Sequence, residues 1–166
     1  MTGTVDSTGR GHPISVGVSR IEDELKTLRD QPAWSMGPAE TRDVMVRLTR
    51  LTAAVAELQA RVAGHGRTVE VEADSGATST ANWWAHATRQ TRTTAHRKTK
   101  LATALGAGRF EPVRVALAEG RLLVDQAEVI ITAVQALPAD LDPEIAVDAL
   151  VTLVGYAEHH DATALR

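Results

Sequence analysis

Apolar residues return every three or four positions along most of this chain, a period that predicts α-helices rather than strands. Residues 1–13 are rich in Gly, Thr and Ser and carry little to bury, so a flexible tail is expected there. A first helix is predicted from Ser15 or Ser19, because Val18, Ile21, Leu25 and Leu28 share a face. Glu22, Asp23 and Glu24 would lie near its positive end, and Pro32 would stop it. The longest periodic segment follows Pro38, a residue suited to a first helical turn. In it Val44, Leu48, Leu51, Val55, Leu58 and Val62 alternate spacings of four and three, the pattern of a coiled-coil seam. A lone seam inside a domain more often packs within its own chain, and that outcome is expected here. The other reading is a homodimer through these six residues. Gly64 and Gly66 are expected to end this helix, and 67–78 reads as loop despite the alternation of Val69, Glu70, Val71 and Glu72.

The stretch from Thr78 to Leu105 reads as two short helices joined by a tight polar turn. Ser79 or Thr80 can cap the first, and Ala81, Trp84, Ala85 and Thr88 would form its inner face. Thr91 can cap the second, with Ala95, Leu101, Ala102 and Leu105 inward. Gly106 and Gly108 stand where a left-handed stop would fall. Phe110, Val113, Ala116 and Leu117 then predict a short helix with Pro112 in its first turn and Gly120 as its stop. A further helix is predicted over about Val124–Leu137, with Ala127, Ile130, Ile131 and Val134 inward and Pro138 breaking it. Asp142 and Pro143 open a last helix. Its Val147, Leu150, Val151, Leu153 and Val154 cover most of the circumference, which predicts a central, buried position. Asp161–Arg166 reads as one more helix start, which suggests a piece of a longer protein.

Composition narrows the picture. The 166 residues are 43% hydrophobic but only 3% aromatic, so the core must be built from Ala, Leu and Val. The absence of Cys excludes disulfides and thiolate metal sites. No apolar run is long enough to span a bilayer, and no signal-peptide pattern opens the chain; a soluble, cytoplasmic protein is expected. The net charge of -3 would weakly repel a polyanion, but charge is unevenly placed. Of the 21 acidic residues, 11 lie in 1–74 and 10 in 111–166, leaving none from Ser75 to Phe110. Within that stretch Arg92, His96 and Lys100 are spaced i, i+4, i+8 on one helical stripe. A basic second helix after a short turn is the outline of a helix-turn-helix reader of nucleic acid. A charged outer stripe is also the ordinary solvated face of a bundle.

No catalytic constellation is legible: there is no phosphate-cradling glycine loop and no G-x-S-x-G turn. Adjacent His159 and His160 point about 100° apart on a helix and suit a polar helix end better than a metal site. Trp83 and Trp84 could stack on bases, but Trp84 reads better as a core anchor and Trp83 as a partial cover for a neighbouring helix. No metal and no cofactor is expected.

The order of features resembles a known family. The motifs are GATSTANWWAHAT, TTAHRKTKLATAL and ALAEGRLLVDQAEVI, then ALP before a final helix. Over residues 20–166 the chain is similar to the domain of unknown function 222 of high-GC Gram-positive bacteria. The similarity rests on the Trp84 helix, Ala95, Leu101, Ala102, Leu105, the Glu119–Gly120–Arg121 turn and Val129–Ile130. Lys98, Thr99 and Leu123 depart from the pattern, where apolar residues and a capping Ser or Thr are usual. The resemblance implies a helical domain N-terminal to an HNH endonuclease and presumes DNA handling, without carrying over catalytic residues. Asn82, the only Asn, lies on a predicted helix, so HNH chemistry is not in this stretch.

The expectation is therefore an all-α single bundle of six to seven helices over 14–166, containing a helix-turn-helix-like pair. Double-stranded DNA is the expected partner: Arg89, Arg92, Arg97 and Lys100 would meet phosphates, and Thr91, Thr94 and His96 would lie near base edges. The competing expectation is a dimerisation or protein-docking module whose basic stripe is merely solvated.

Overall fold

The computed structural model describes residues 11–138 and 140–166; of the tail expected over 1–13, residues 1–10 lie outside the described residues, while His12 and Pro13 belong to the start of the first helix. Among these the fold is all-α, with seven helices: α1 Pro13–Leu28, α2 Pro38–Thr68, α3 Thr80–Thr88, α4 Arg92–Leu105, α5 Glu111–Ala118, α6 Val124–Gln135 and α7 Pro143–Ala157. None is long and apolar enough to cross a membrane. Contacts divide the chain between Thr41 and Arg42 into two compact units.

The first unit holds α1, a single 3-10 turn at Ala33–Ser35, and the opening turn of α2. α1 starts earlier than its apolar pattern predicts. His12 caps it, Nδ1 accepting the Ile14 N–H at 3.2 Å, and Pro13 occupies the first turn, where its missing N–H costs nothing. Glu22, Asp23 and Glu24 consequently sit mid-helix, away from the positive pole. α1 buries none of its residues.

In the second unit, α2 runs through Gly64 and Gly66 to Thr68, beyond the predicted stop. Both glycines keep right-handed geometry, and Gly66 is close-packed: a Cβ there would lie 3.4 Å from Val71. Residues 69–76 are turns, as the loop reading requires. The seam is not the most buried face of α2: Val44, Val55 and Leu58 are half-buried. The buried face of α2 is Ala53, Glu57, Ala60 and Ala63, while Leu48, Leu51 and Val62 are 54%, 50% and 46% exposed. Small residues win that face because alanines let the neighbouring helices come close.

The core gathers around Phe110, Val113, Leu117, Leu122 and Ile130, all fully buried. Phe110 enters from a 3-10 turn, Gly108–Phe110, that joins α4 to α5. Gly106 is right-handed at the end of α4, so the expected left-handed stop is absent. It appears instead after α5. There Gly120 has φ +66°, Arg121 N–H donates to Ala116 O and Gly120 N–H to Leu117 O, the paired bonds of a Schellman stop. α6 ends at Gln135, two residues short of its predicted end. Leu123, at the cap position of α6, caps no N–H with its side chain. Gln126 compensates: its Oε1 accepts the Leu123 N–H, and its Nε2 donates to Ala157 O and His160 O, joining the start of α6 to the end of α7. α7 is capped by Asp142 as expected. It is not central: Leu150, Val154 and Ala157 face the core, but Val147 and Val151 are 51% and 53% exposed. Asp161 Oδ1 accepts the Thr163 and Ala164 N–H groups, and Asp161–Arg166 forms a turn rather than a further helix.

Candidate nucleic-acid interface

α3 and α4 are set by two hydroxyl caps. Ser79 Oγ accepts the Asn82 N–H at 3.2 Å, and Thr91 Oγ1 accepts the Thr94 N–H at 3.1 Å. Between them Arg89, at φ +56°, turns the chain in a left-handed conformation usually left to glycine. The helices pack through Ala81, Ala85 and Ala95, a small cluster beside the main core. The predicted inner face of α4 is buried at every position, Ala95, Leu101, Ala102 and Leu105. Thr88 is not on the inner face of α3; it is exposed and bonds back to Trp84 O. Trp84 packs on the main core, half-buried. Lys98 and Thr99 each have a local solution. The Lys98 ammonium lies 5.1 Å from the centroid of Trp84, and the buried Thr99 hydroxyl donates to Ala95 O at 3.0 Å.

The face opposite this packing is cationic. Arg89, Arg92, His96, Arg97 and Lys100 are all exposed. Among the described residues, no ion pair engages Arg89, Arg92 or Lys100. Arg97 differs: its Nε lies 3.4 Å from Glu128 of α6, which partly neutralises it. Thr91 and Thr94 also differ from their expected role. Their hydroxyls bond each other at 2.8 Å while Thr91 caps the helix, so both are engaged in holding the turn. Thr94 is half-buried.

Two grooves flank the α4 stripe. One, about 380 Å³, is edged by Arg67, His96 and Lys100, with Thr80, Thr99 and Thr103 in its wall. Arg67 donates to the Thr103 hydroxyl, so α2 adds a cation that the sequence reading missed. Only the unexpected length of α2 brings it there. The acid in this groove, Glu72, accepts from the Thr80 hydroxyl at 2.9 Å. The other groove, about 640 Å³, is bounded by Trp83, Asn82, His86, Gln90 and Arg92. Trp83 is half-buried and shares the wall of this groove with Ser75, Gly76, Ala77 and Thr78. Among the described residues no group of three or more His, Asp or Glu side chains could hold a metal ion. No known family, curated protein or solved structure matches this chain.

Proposed function

We propose that the chain is a non-catalytic helical module that contacts duplex DNA with the outer face of α4. The observation that carries this reading is the set of three exposed, unpaired cations, Arg89, Arg92 and Lys100, on a stretch without carboxylates. Long flexible cations free of partners can approach phosphates without first breaking an ion pair. Arg67 extends the cationic edge along one groove. Arg92 and His96, with side chains not engaged in capping, would lie nearest the base edges. A linked HNH nuclease would be the beneficiary of this contact, the arrangement that the sequence resemblance to the domain of unknown function 222 implies.

The test is duplex binding by the full chain across a salt series. Affinity is expected to fall steeply with salt, each phosphate contact contributing about 0.9 to the logarithmic slope. Arg92→Ala with Lys100→Ala is expected to reduce that slope by roughly two. No binding at low salt overturns the reading.

A further inference from the structure

The groove of about 640 Å³ between α3 and the start of α4 has features that a merely solvated surface does not need. No carboxylate lines it. Trp83 forms part of its wall and is half-buried, so part of the indole meets solvent. The Asn82 amide is half used: its N–H donates to the Thr78 hydroxyl at 2.8 Å, which leaves its oxygen as an acceptor. Gln90 carries the unexplained group. Among the described residues, its Nε2 is the one buried side-chain nitrogen or oxygen without a hydrogen-bond partner. A buried N–H left unpaired costs free energy, and native folds rarely keep one without a use for it. Gln90 borders the groove, so rotation of its amide can offer that N–H to an acceptor seated there. At the edge stands Arg92, exposed and in no ion pair among the described residues.

These groups select a ligand by chemistry. An indole face takes a flat ring by stacking. An amide donor and an amide acceptor match the carbonyl and N–H edge of a nucleobase. An unpaired arginine takes a phosphate. A nucleotide carries all three partners. Inside a duplex both the faces and the pairing edge of a base are covered, so the nucleotide must be unpaired. Arg92 also belongs to the α4 stripe with His96 and Lys100, so a strand whose phosphates follow α4 passes the groove. We infer that this groove takes one unpaired nucleotide of a DNA strand, the base on Trp83, its polar edge to Gln90 and Asn82, and its phosphate to Arg92. The inference rests on the reading that α4 meets DNA and adds to it a preference for DNA with an unstacked base, as at a strand end or gap.

Fluorescence anisotropy of the full chain with three labelled duplexes of one sequence tests it. One duplex is blunt, one has an overhang of three thymidines, and one has an overhang of three abasic residues. The two overhangs carry the same phosphates and differ only in their bases. The thymidine overhang is expected to bind about tenfold tighter than the abasic one, with the same salt slope, because stacking rather than charge separates them. Trp83→Leu keeps an apolar side chain in the wall, and Gln90→Leu removes the unpaired N–H. Each is expected to erase most of that ratio and to leave blunt-duplex affinity within about twofold, with circular dichroism verifying retained helix. Arg92→Ala is expected to weaken all three probes. Equal affinity for the two overhangs overturns the inference and leaves the duplex reading to the blunt probe. A preference that survives both Trp83→Leu and Gln90→Leu overturns it as well, since the bases then bind elsewhere. Binding of none of the probes at low salt overturns both readings together.

Discussion

Gly120 lies against Arg50 so closely that a Cβ on it would sit 2.7 Å from Arg50 Cβ and 2.8 Å from Arg50 O. The turn after α5 is thereby pressed onto the backbone of α2. The same residue has φ +66°, so two separate constraints demand glycine. Gly120→Ala is expected to cost about 2–5 kcal/mol, the sum of left-handed strain and overpacking against main chain. Thermal unfolding is the measurement. A loss below about 1 kcal/mol would mean that α2 and this turn can separate freely.

Glu57 is a carboxylate inside the α2 face, with 3% of its side chain exposed. Arg114 Nη1 donates to it at 3.0 Å, Arg61 lies 3.4 Å away, and Arg114 also holds Glu111. Arg114→Met is expected to destabilise by about 3 kcal/mol, because it strips the closest partner from a buried charge. Glu57→Met combined with Arg114→Met is expected to recover most of that loss. Denaturant unfolding of the two variants decides it; equal losses would mean that the ion pair, not the stranded charge, supplies the stability.

Glu111 adds a pH dependence of stated sign. The hydrogen bond from Arg114 holds its carboxyl below the ordinary 4.5. A lowered folded-state value stabilises the fold above the ordinary carboxylate range and loses that contribution as acid protonates it. Glu111→Gln is expected to flatten the fall in stability below pH 4.5, and a titration of melting temperature reads it directly.

Arg89 combines a left-handed backbone with an exposed, unpaired cation. Replacing it by glycine removes the left-handed penalty, offset by the greater freedom of glycine in the unfolded chain. Arg89→Gly is expected to be neutral or to stabilise by up to about 0.5 kcal/mol. If α4 contacts DNA, the same variant is expected to bind duplex more weakly with a shallower salt dependence. Unchanged binding would remove Arg89 from the interface.

If α4 contacts DNA, the Arg97–Glu128 pair predicts an affinity gain. Glu128→Gln releases Arg97 and removes a negative charge beside α4. Duplex affinity is expected to rise by up to about fivefold at low salt, since an exposed pair is worth at most about 1 kcal/mol. Arg97→Ala is expected to cost less affinity than Lys100→Ala.

Much of the local structure was legible from residue order. The caps at Ser79, Thr91 and Asp142, Pro112 at the start of α5, and the inner face of α4 all follow from short-range stereochemistry acting within a turn or two. The carboxylate-free stretch was countable before any coordinates. Which apolar stripe of α2 faces inward was not, because alanine and leucine seams on one helix score alike until neighbours choose between them. Here close approach, with Gly120 against Arg50, favours the alanines for the buried face. α7 was misjudged for the same reason: hydrophobicity around a helix says that it can be buried, not that enough neighbours exist to bury it. The tie between Arg97 and Glu128, the freedom of Arg92 and Lys100, and the arrival of Arg67 beside Thr103 join residues far apart in the chain. Sequence determined where helices begin and which charges they carry; tertiary structure alone decided which charges meet and which apolar residues form the core, because both depend on contacts that no local period encodes.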